Sequence, residues 1–147
     1  MSNRTVPREQ VAVPERSFPP AGLNSELTQA GVWWDAVRVP AYLGDRVLAR
    51  LGEDCGAVIR DPYAHRLYWL IRTGAAKGWM FPAVAHVQIL GAGSWLTVPP
   101  RDRVVSTGPH WARLAVGDRL LTDPELLHAA LTAVIADALG PRGAVRR

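Results

Sequence analysis

The sequence holds very little cysteine and no long apolar run. Cys55 is the only cysteine among 147 residues, which excludes an internal disulfide framework and a multi-cysteine zinc site and is typical of a reducing compartment. No apolar run reaches the roughly 18 residues that a membrane-spanning helix needs. The first residues also lack the charged start and apolar core of a signal peptide. We therefore expect a cytoplasmic protein that crosses no membrane.

Lysine is equally scarce, because Lys77 stands alone against 16 arginines. The formal net charge is only +4, so the ratio of arginine to lysine is more informative than the net charge. One interpretation is a GC-rich genome that prefers arginine codons. The other is phosphate recognition, for which the planar guanidinium offers a fork of donors.

The length and the hydrophobic content of 48% predict a single domain with a real core. Residues 1–30 carry four prolines and no apolar period, which predicts a flexible, proline-rich arm that either stays disordered or folds over the domain or a partner. We place the domain at residues 31–140 and a basic tail at residues 141–147.

Local patterns predict the elements of the domain. Residues 32–40 alternate as a strand, and residues 41–53 carry an apolar helical stripe that ends at Gly52. The apolar runs 55–62 and 65–74 are too close for a crossover helix, so they predict an antiparallel hairpin. After a Gly-rich segment, further strands are expected in AHVQIL, SWLTVPP and HWARLA.

A second, longer helix is predicted near the end of the chain. Thr122 and Glu125 form a candidate capping box with Pro124 in the first turn, the apolar face runs through residues 126–139, and Gly140 and Pro141 end the helix. Together the elements predict an α+β fold, in which two main helices pack on one face of a largely antiparallel sheet.

Catalytic and metal motifs are missing from the sequence. The four histidines, His65, His86, His110 and His128, have no metal-ligand spacing. The turn GAGS matches neither a phosphate loop nor a nucleophile elbow, and no acidic pair alternates on a predicted strand. We therefore predict no cofactor, no metal and no catalytic residue.

What remains is a set of arginines and tryptophans around the central strands. Arginine interleaved with aromatic rings is the composition of a surface that binds phosphates and stacks bases. The alternative is that the tryptophans fill the core and the arginines are solvated. The set comprises Arg60, Arg66, Arg72, Arg101, Arg103 and Arg113 with Trp69, Trp95 and Trp111.

The motifs GAVIRDP, HRLYWLI, LGAGSWLTVPP and HW occur here in an order that resembles the carboxyl-terminal part of the bifunctional DNA primase/polymerase domain of actinobacteria and their plasmids, within the archaeo-eukaryotic primase superfamily. The resemblance covers about residues 32–139. The sequence differs from the family at the catalytic positions. The family's metal-binding acidic pair would fall at residues 58–61, where only Asp61 is acidic. Its catalytic histidine would fall at Arg66, one residue from His65, and such a shift moves a strand side chain to the opposite face.

The resemblance therefore implies a reduced, noncatalytic relative without the usual amino-terminal half. We expect a binding module for single-stranded nucleic acid or a nucleotide. The expected contacts are Arg60, Arg66, Arg101, Arg103, Arg113, His65, Trp95 and Trp111.

Two alternatives remain open. One is a protein-interaction or regulatory domain, with a possible homodimer, that docks through the Trp33–Trp34 strand edge or the long helix. The other is a residual enzyme that uses Asp35, Asp61 and His65 with Mg²⁺.

Overall fold

The computed structural model describes residues 18–105, 107–114 and 119–144, with the side chains of residues 141–144 left out. Short 3₁₀ turns occur at Gly52–Asp54 and Ala83–Ala85. The strands are β1 (Glu26–Gln29), β2 (Asp35–Pro40), β3 (Val58–Asp61), β4 (Arg66–Ile71), β5 (Gln88–Leu90), β6 (Trp95–Val98) and β7 (His110–Arg113), and the helices are α1 (Ala41–Leu51) and α2 (Pro124–Ala144).

Five of the strands form the main sheet in the order β5-β2-β4-β3-β7, and every neighbouring pair is antiparallel. The chain passes from β2 through α1 to β3, and the next strand, β4, lies between β2 and β3 in the sheet. The remaining strands, β1 and β6, form a separate two-stranded antiparallel sheet. The predicted α+β class is therefore confirmed.

Both faces of the main sheet are covered. On one face Val39, Leu67 and Trp69 pack in a cluster that includes the buried sides of α1 and α2. On the other face Leu70 packs in a second cluster that includes Leu96 of β6. The sequence pattern predicted the helical layer, but it did not predict the second sheet as the opposite layer.

The strand β1 lies within the segment predicted as an arm. It pairs with β6 from Glu26 opposite Val98 to Gln29 opposite Trp95. Upstream, the Phe18 ring stacks on Trp34 with a centroid distance of 5.8 Å. Residues 18–30 thus fold over the domain, one of the outcomes that the sequence left open. Residues 1–17 of the predicted arm and residues 145–147 of the predicted tail lie outside the described residues.

The local predictions for the β3–β4 hairpin and α1 are confirmed. β3 and β4 pair antiparallel, and the Asp61 carboxylate accepts hydrogen bonds from the backbone N–H groups of Tyr63 and Ala64 in the connecting turn. In α1, Leu43 and Val47 are buried toward the sheet. The helix ends at Gly52, whose φ of 54° lies in the region that favours glycine.

The start of α2 differs from the predicted capping box. The Asp123 carboxylate, and not Thr122, accepts hydrogen bonds from the N–H groups of Glu125 and Leu126. Thr122 is buried, and its hydroxyl accepts a hydrogen bond of 2.9 Å from the backbone N–H of Gly56. The long helical segment ends at Gly140 as predicted, because Gly140 has non-helical angles of φ 62° and ψ −161°, and a second short helical stretch follows this kink up to Ala144 within the bounds given for α2.

Neither helix of the described chain combines the length and the apolar character that crossing a membrane requires.

We predict that Thr122→Val lowers the free energy of unfolding by about 1–3 kcal/mol, because the buried Gly56 N–H loses its acceptor. Urea unfolding followed by tryptophan fluorescence measures the change. Thr97→Val is the matched control, since Thr97 is exposed on β6 and should change stability by less than about 0.5 kcal/mol. Equal stability of the two variants would contradict the proposed role of the Thr122 hydroxyl.

Candidate functional site

A pocket of about 600 Å³ opens at the end of the main sheet where β2 passes into α1. Its walls come from four parts of the chain: β2 with the start of α1, the β3–β4 turn, the 3₁₀ turn before β5, and the start of β5. The lining residues are Arg38, Pro40, Tyr42, Ala64, His65, Arg66, Ala83, His86, Val87 and Gln88.

The strand alternation places two arginines in this pocket. Val37 and Val39 pack on the helical side of β2, so Arg38 between them points to the opposite face. By the same alternation Arg66 lies opposite to the buried Leu67. Pro40 is the register partner of Arg66. Arg38 and Arg66 are therefore diagonal neighbours across the β2–β4 pair, and the backbone positions of such neighbours lie about 7–8 Å apart.

Two histidines in left-handed backbone conformations complete the basic lining. His65 has φ 57° and His86 has φ 56°, and among the described residues they are the only non-glycine residues with positive φ. Such backbones are uncommon outside glycine and tend to occur at ligand sites. The His65 carbonyl accepts a hydrogen bond of 2.8 Å from Ala41 N–H, which ties the β3–β4 turn to the start of α1.

Among the described residues, the lining of the pocket holds basic side chains and no acidic one. It contains two arginines and two histidines and no carboxylate. Within the described chain, no hydrogen bond or ion pair engages the side chains of Arg38, His65, Arg66 or His86. The adjoining end of α1 has no side-chain cap and no acidic residue in its first turn, so the positive end of the helix dipole adds to the same field. The pocket is therefore suited to an anionic group.

Of the eight residues predicted to contact a ligand, only His65 and Arg66 line this pocket. Arg60 forms an ion pair of 2.5 Å with Asp45 of α1, on the helical side of the sheet. Arg113 donates a hydrogen bond of 3.0 Å to the Gly52 carbonyl at the other end of α1. Both guanidinium groups thus hold the helix against the sheet.

The arginines after β6 hold the folded part of the predicted arm. Arg103 donates hydrogen bonds to the Ser25 hydroxyl and, at 2.7 Å, to the Leu23 carbonyl. Arg101 is exposed, and its backbone N–H donates to the Pro20 carbonyl. The predicted arginines therefore do not converge on one surface.

The two predicted stacking tryptophans also lie away from the pocket. Trp111 is 2% exposed, and its indole N–H donates to the carbonyls of Pro99 and Pro100. No base can stack on a ring that is buried in this way. Trp95 is 54% exposed, but it lies on the outer face of the β1–β6 sheet. For Trp111, as for the buried Trp69, the interpretation as a core residue is the correct one.

The acidic residues of the alternative magnesium site lie far apart. Asp35 pairs with Ile71 at one end of β4, and Asp61 pairs with Arg66 at the other end. Five residue steps at about 3.4 Å place them roughly 17 Å apart. Among the described residues, no group of three or more His, Cys, Asp or Glu side chains is arranged to hold a metal ion.

The alternative docking edge at Trp33–Trp34 is not a strand edge. Trp34 is buried at 2% exposure, and β2 begins only at Asp35. β2 also lies between β4 and β5 in the main sheet, so both of its backbone edges are paired.

The sequence patterns did not predict that Arg38 and His86 lie in the same pocket as Arg66. The available signal for Arg38 was its position between two valines of a predicted buried strand, where a charge must leave the core at the strand end. His86 follows an apolar Ala-Val-Ala run and precedes a short strand, and its approach to Arg38 depends on the pairing of β5 with β2.

No protein-family model, curated protein or solved structure matches this chain.

Cys55 packs with Trp69 in the core cluster on the helical side of the sheet, so its reactivity tests whether solvent reaches this core. The residue is 5% exposed, and its thiol sulfur accepts a hydrogen bond of 3.2 Å from the Trp69 indole N–H. Burial raises the pKa of the Cys55 thiol above its ordinary value, although the Trp69 hydrogen bond acts in the opposite direction.

We predict that native Cys55 reacts with a disulfide reagent at pH 8 much more slowly than the same thiol in urea, because the reactive thiolate is disfavoured by the raised pKa and shielded by burial. Absorbance of the released thiolate gives both rates. Equal rates in the native and unfolded chains would contradict the buried position.

Proposed function

We propose that this protein is a noncatalytic, primase-like binding module for nucleic acid or a nucleotide, and that the pocket between β2, β4 and β5 receives a phosphate of the ligand. The observation that carries the proposal is one pocket in which four basic side chains have no partner, and no carboxylate lines the wall, among the residues that the structure describes.

The chemistry of these side chains favours phosphate over other anions. A guanidinium presents parallel N–H donors that match two phosphate oxygens, and the histidine rings add further donors. Hydrogen bonds to charged groups contribute about 1.5–3 kcal/mol each. Two arginines and two histidines thus offer several such contacts to one ligand.

A binding role also agrees with the side chains that the pocket lacks. Nucleotidyl transfer needs carboxylates that hold divalent cations beside the phosphates. Asp61 is the one acidic residue at positions 58–61, where the resembling family carries its acidic pair, and its carboxylate accepts hydrogen bonds within the β3–β4 turn. The overlap between the predicted contacts and the pocket, His65 and Arg66, supports the proposal.

We expect a labelled single-stranded oligonucleotide or a labelled nucleotide to bind at low salt and to lose affinity steeply between about 50 and 200 mM salt. The double variant Arg38→Gln/Arg66→Gln should bind at least about tenfold more weakly, because two charge-assisted contacts are lost. Fluorescence anisotropy measures both effects.

The charge-matched control is the double variant Arg46→Gln/Arg50→Gln, because both arginines are exposed on α1 and lie outside the pocket. It should bind like the wild-type protein. The proposal fails if neither the oligonucleotide nor the nucleotide binds at low salt. It also fails if the control variant loses as much affinity as the pocket variant.

A protein-interaction domain is the alternative, and one observation favours it. Leu27 and Trp95 are 65% and 54% exposed, and the β1–β6 register places them as diagonal neighbours on the same outer face. Large apolar side chains of this kind anchor protein interfaces. Light scattering that shows a stable dimer, disrupted by Trp95→Ser, would favour this alternative.

A further inference from the structure

The basic side chains of this pocket form one compact cluster, and this limits the ligands that suit it. Arg38 and Arg66 are the arginines of the pocket lining. Of the other predicted arginines, Arg60 is paired with Asp45, and Arg103 is bound to the Leu23 carbonyl. A protein that binds along a strand needs a groove in which basic groups follow successive phosphates, and the lining of this pocket supplies a single cluster.

The size of the pocket agrees with a single small ligand. Its volume of about 600 Å³ lies within the range of roughly 300–1,000 Å³ that is typical of small-molecule sites. A terminal phosphate carries about −1.5 to −2 charge near neutral pH. An internal phosphodiester carries a single charge, so a compact cluster of four basic side chains matches a terminal phosphate better.

The remainder of the lining suits a nucleoside. Tyr42 is 55% exposed in the first turn of α1, so its ring is accessible beside the basic cluster. Aromatic side chains stack on bases of any identity. Gln88 is exposed at the start of β5, opposite Arg38 in the register, and its amide can both donate to and accept from a base edge.

We propose that this pocket binds a mononucleotide through its terminal phosphate, with Arg38 and Arg66 on the phosphate and Tyr42 against the base. The inference rests on the proposed function and narrows it from nucleic acid or nucleotide to a phosphomonoester ligand. His65 and His86 border the phosphate from the two turns whose left-handed backbones hold them at the pocket.

The test is calorimetric titration of the full chain with eight probes: the four ribonucleoside 5′-monophosphates, adenosine, inorganic phosphate, and one deoxythymidine oligomer with and without a 5′-phosphate. We expect at least one monophosphate to bind, adenosine not to bind, and inorganic phosphate to bind more weakly than the monophosphate. The 5′-phosphate should strengthen oligomer binding about tenfold or more, as one extra charge-assisted contact does.

Three variants locate the binding. Arg38→Gln should weaken monophosphate binding about tenfold or more, whereas Arg50→Gln should leave it unchanged. Tyr42→Ala should weaken the binding of the monophosphate but not the binding of inorganic phosphate. Because Tyr42 is exposed, this variant keeps the test decisive even if replacement of Arg38 on the central strand impairs folding.

The possible failures are distinguishable. If the oligomer binds equally well with and without its 5′-phosphate and loses affinity in Arg38→Gln, the mononucleotide inference is wrong and the proposed function stands. If adenosine or inorganic phosphate binds as tightly as every monophosphate, the inference is also wrong. If no probe binds, both proposals fail together.

Discussion

The antiparallel pairing of β2 with β4, buried on both faces, is the constraint on which the rest of the structure depends. The helices cover one face of this pair through residues such as Val39 and Trp69, and the β1–β6 sheet covers the other through Leu96. Burying a charge inside such a sandwich is costly unless the charge is paired. Charged side chains on these strands therefore lie at or near the ends. Arg38, two residues before the end of β2, and Arg66, the first residue of β4, lie close together because the register brings them together.

The pocket follows from the same pairing and from the connections at that end. β2 passes directly into α1, the β3–β4 turn delivers His65, and the 3₁₀ turn before β5 delivers His86. Three of the remaining predicted arginines contact the backbone or a carboxylate: Arg60 and Arg113 contact α1 and its end, and Arg103 contacts the segment before β1. Arg38 and Arg66 differ from these three, because no described residue engages their guanidinium groups and both line one pocket.

Local signals predicted the parts of the fold that local chemistry decides. A short connection made β3 and β4 a hairpin, and Gly52 and Gly140 ended the helices because glycine tolerates the required backbone angles. The prediction missed β1, a four-residue strand that pairs with residues about 70 positions away. It also assigned the α2 cap to Thr122, because sequence spacing cannot show that this hydroxyl is engaged by Gly56.

The sequence by itself determined the two-sided apolar pattern of the central strands, the α+β class and the predominance of arginine, because these depend on residue type and short-range period. Only the tertiary structure decided which arginines are available. Arg60 meets Asp45 across 15 positions and Arg103 meets Leu23 across 80, and no local pattern encodes such contacts. The meeting of Arg38, His65, Arg66 and His86 has the same origin, since it depends on strand order and register across the sheet.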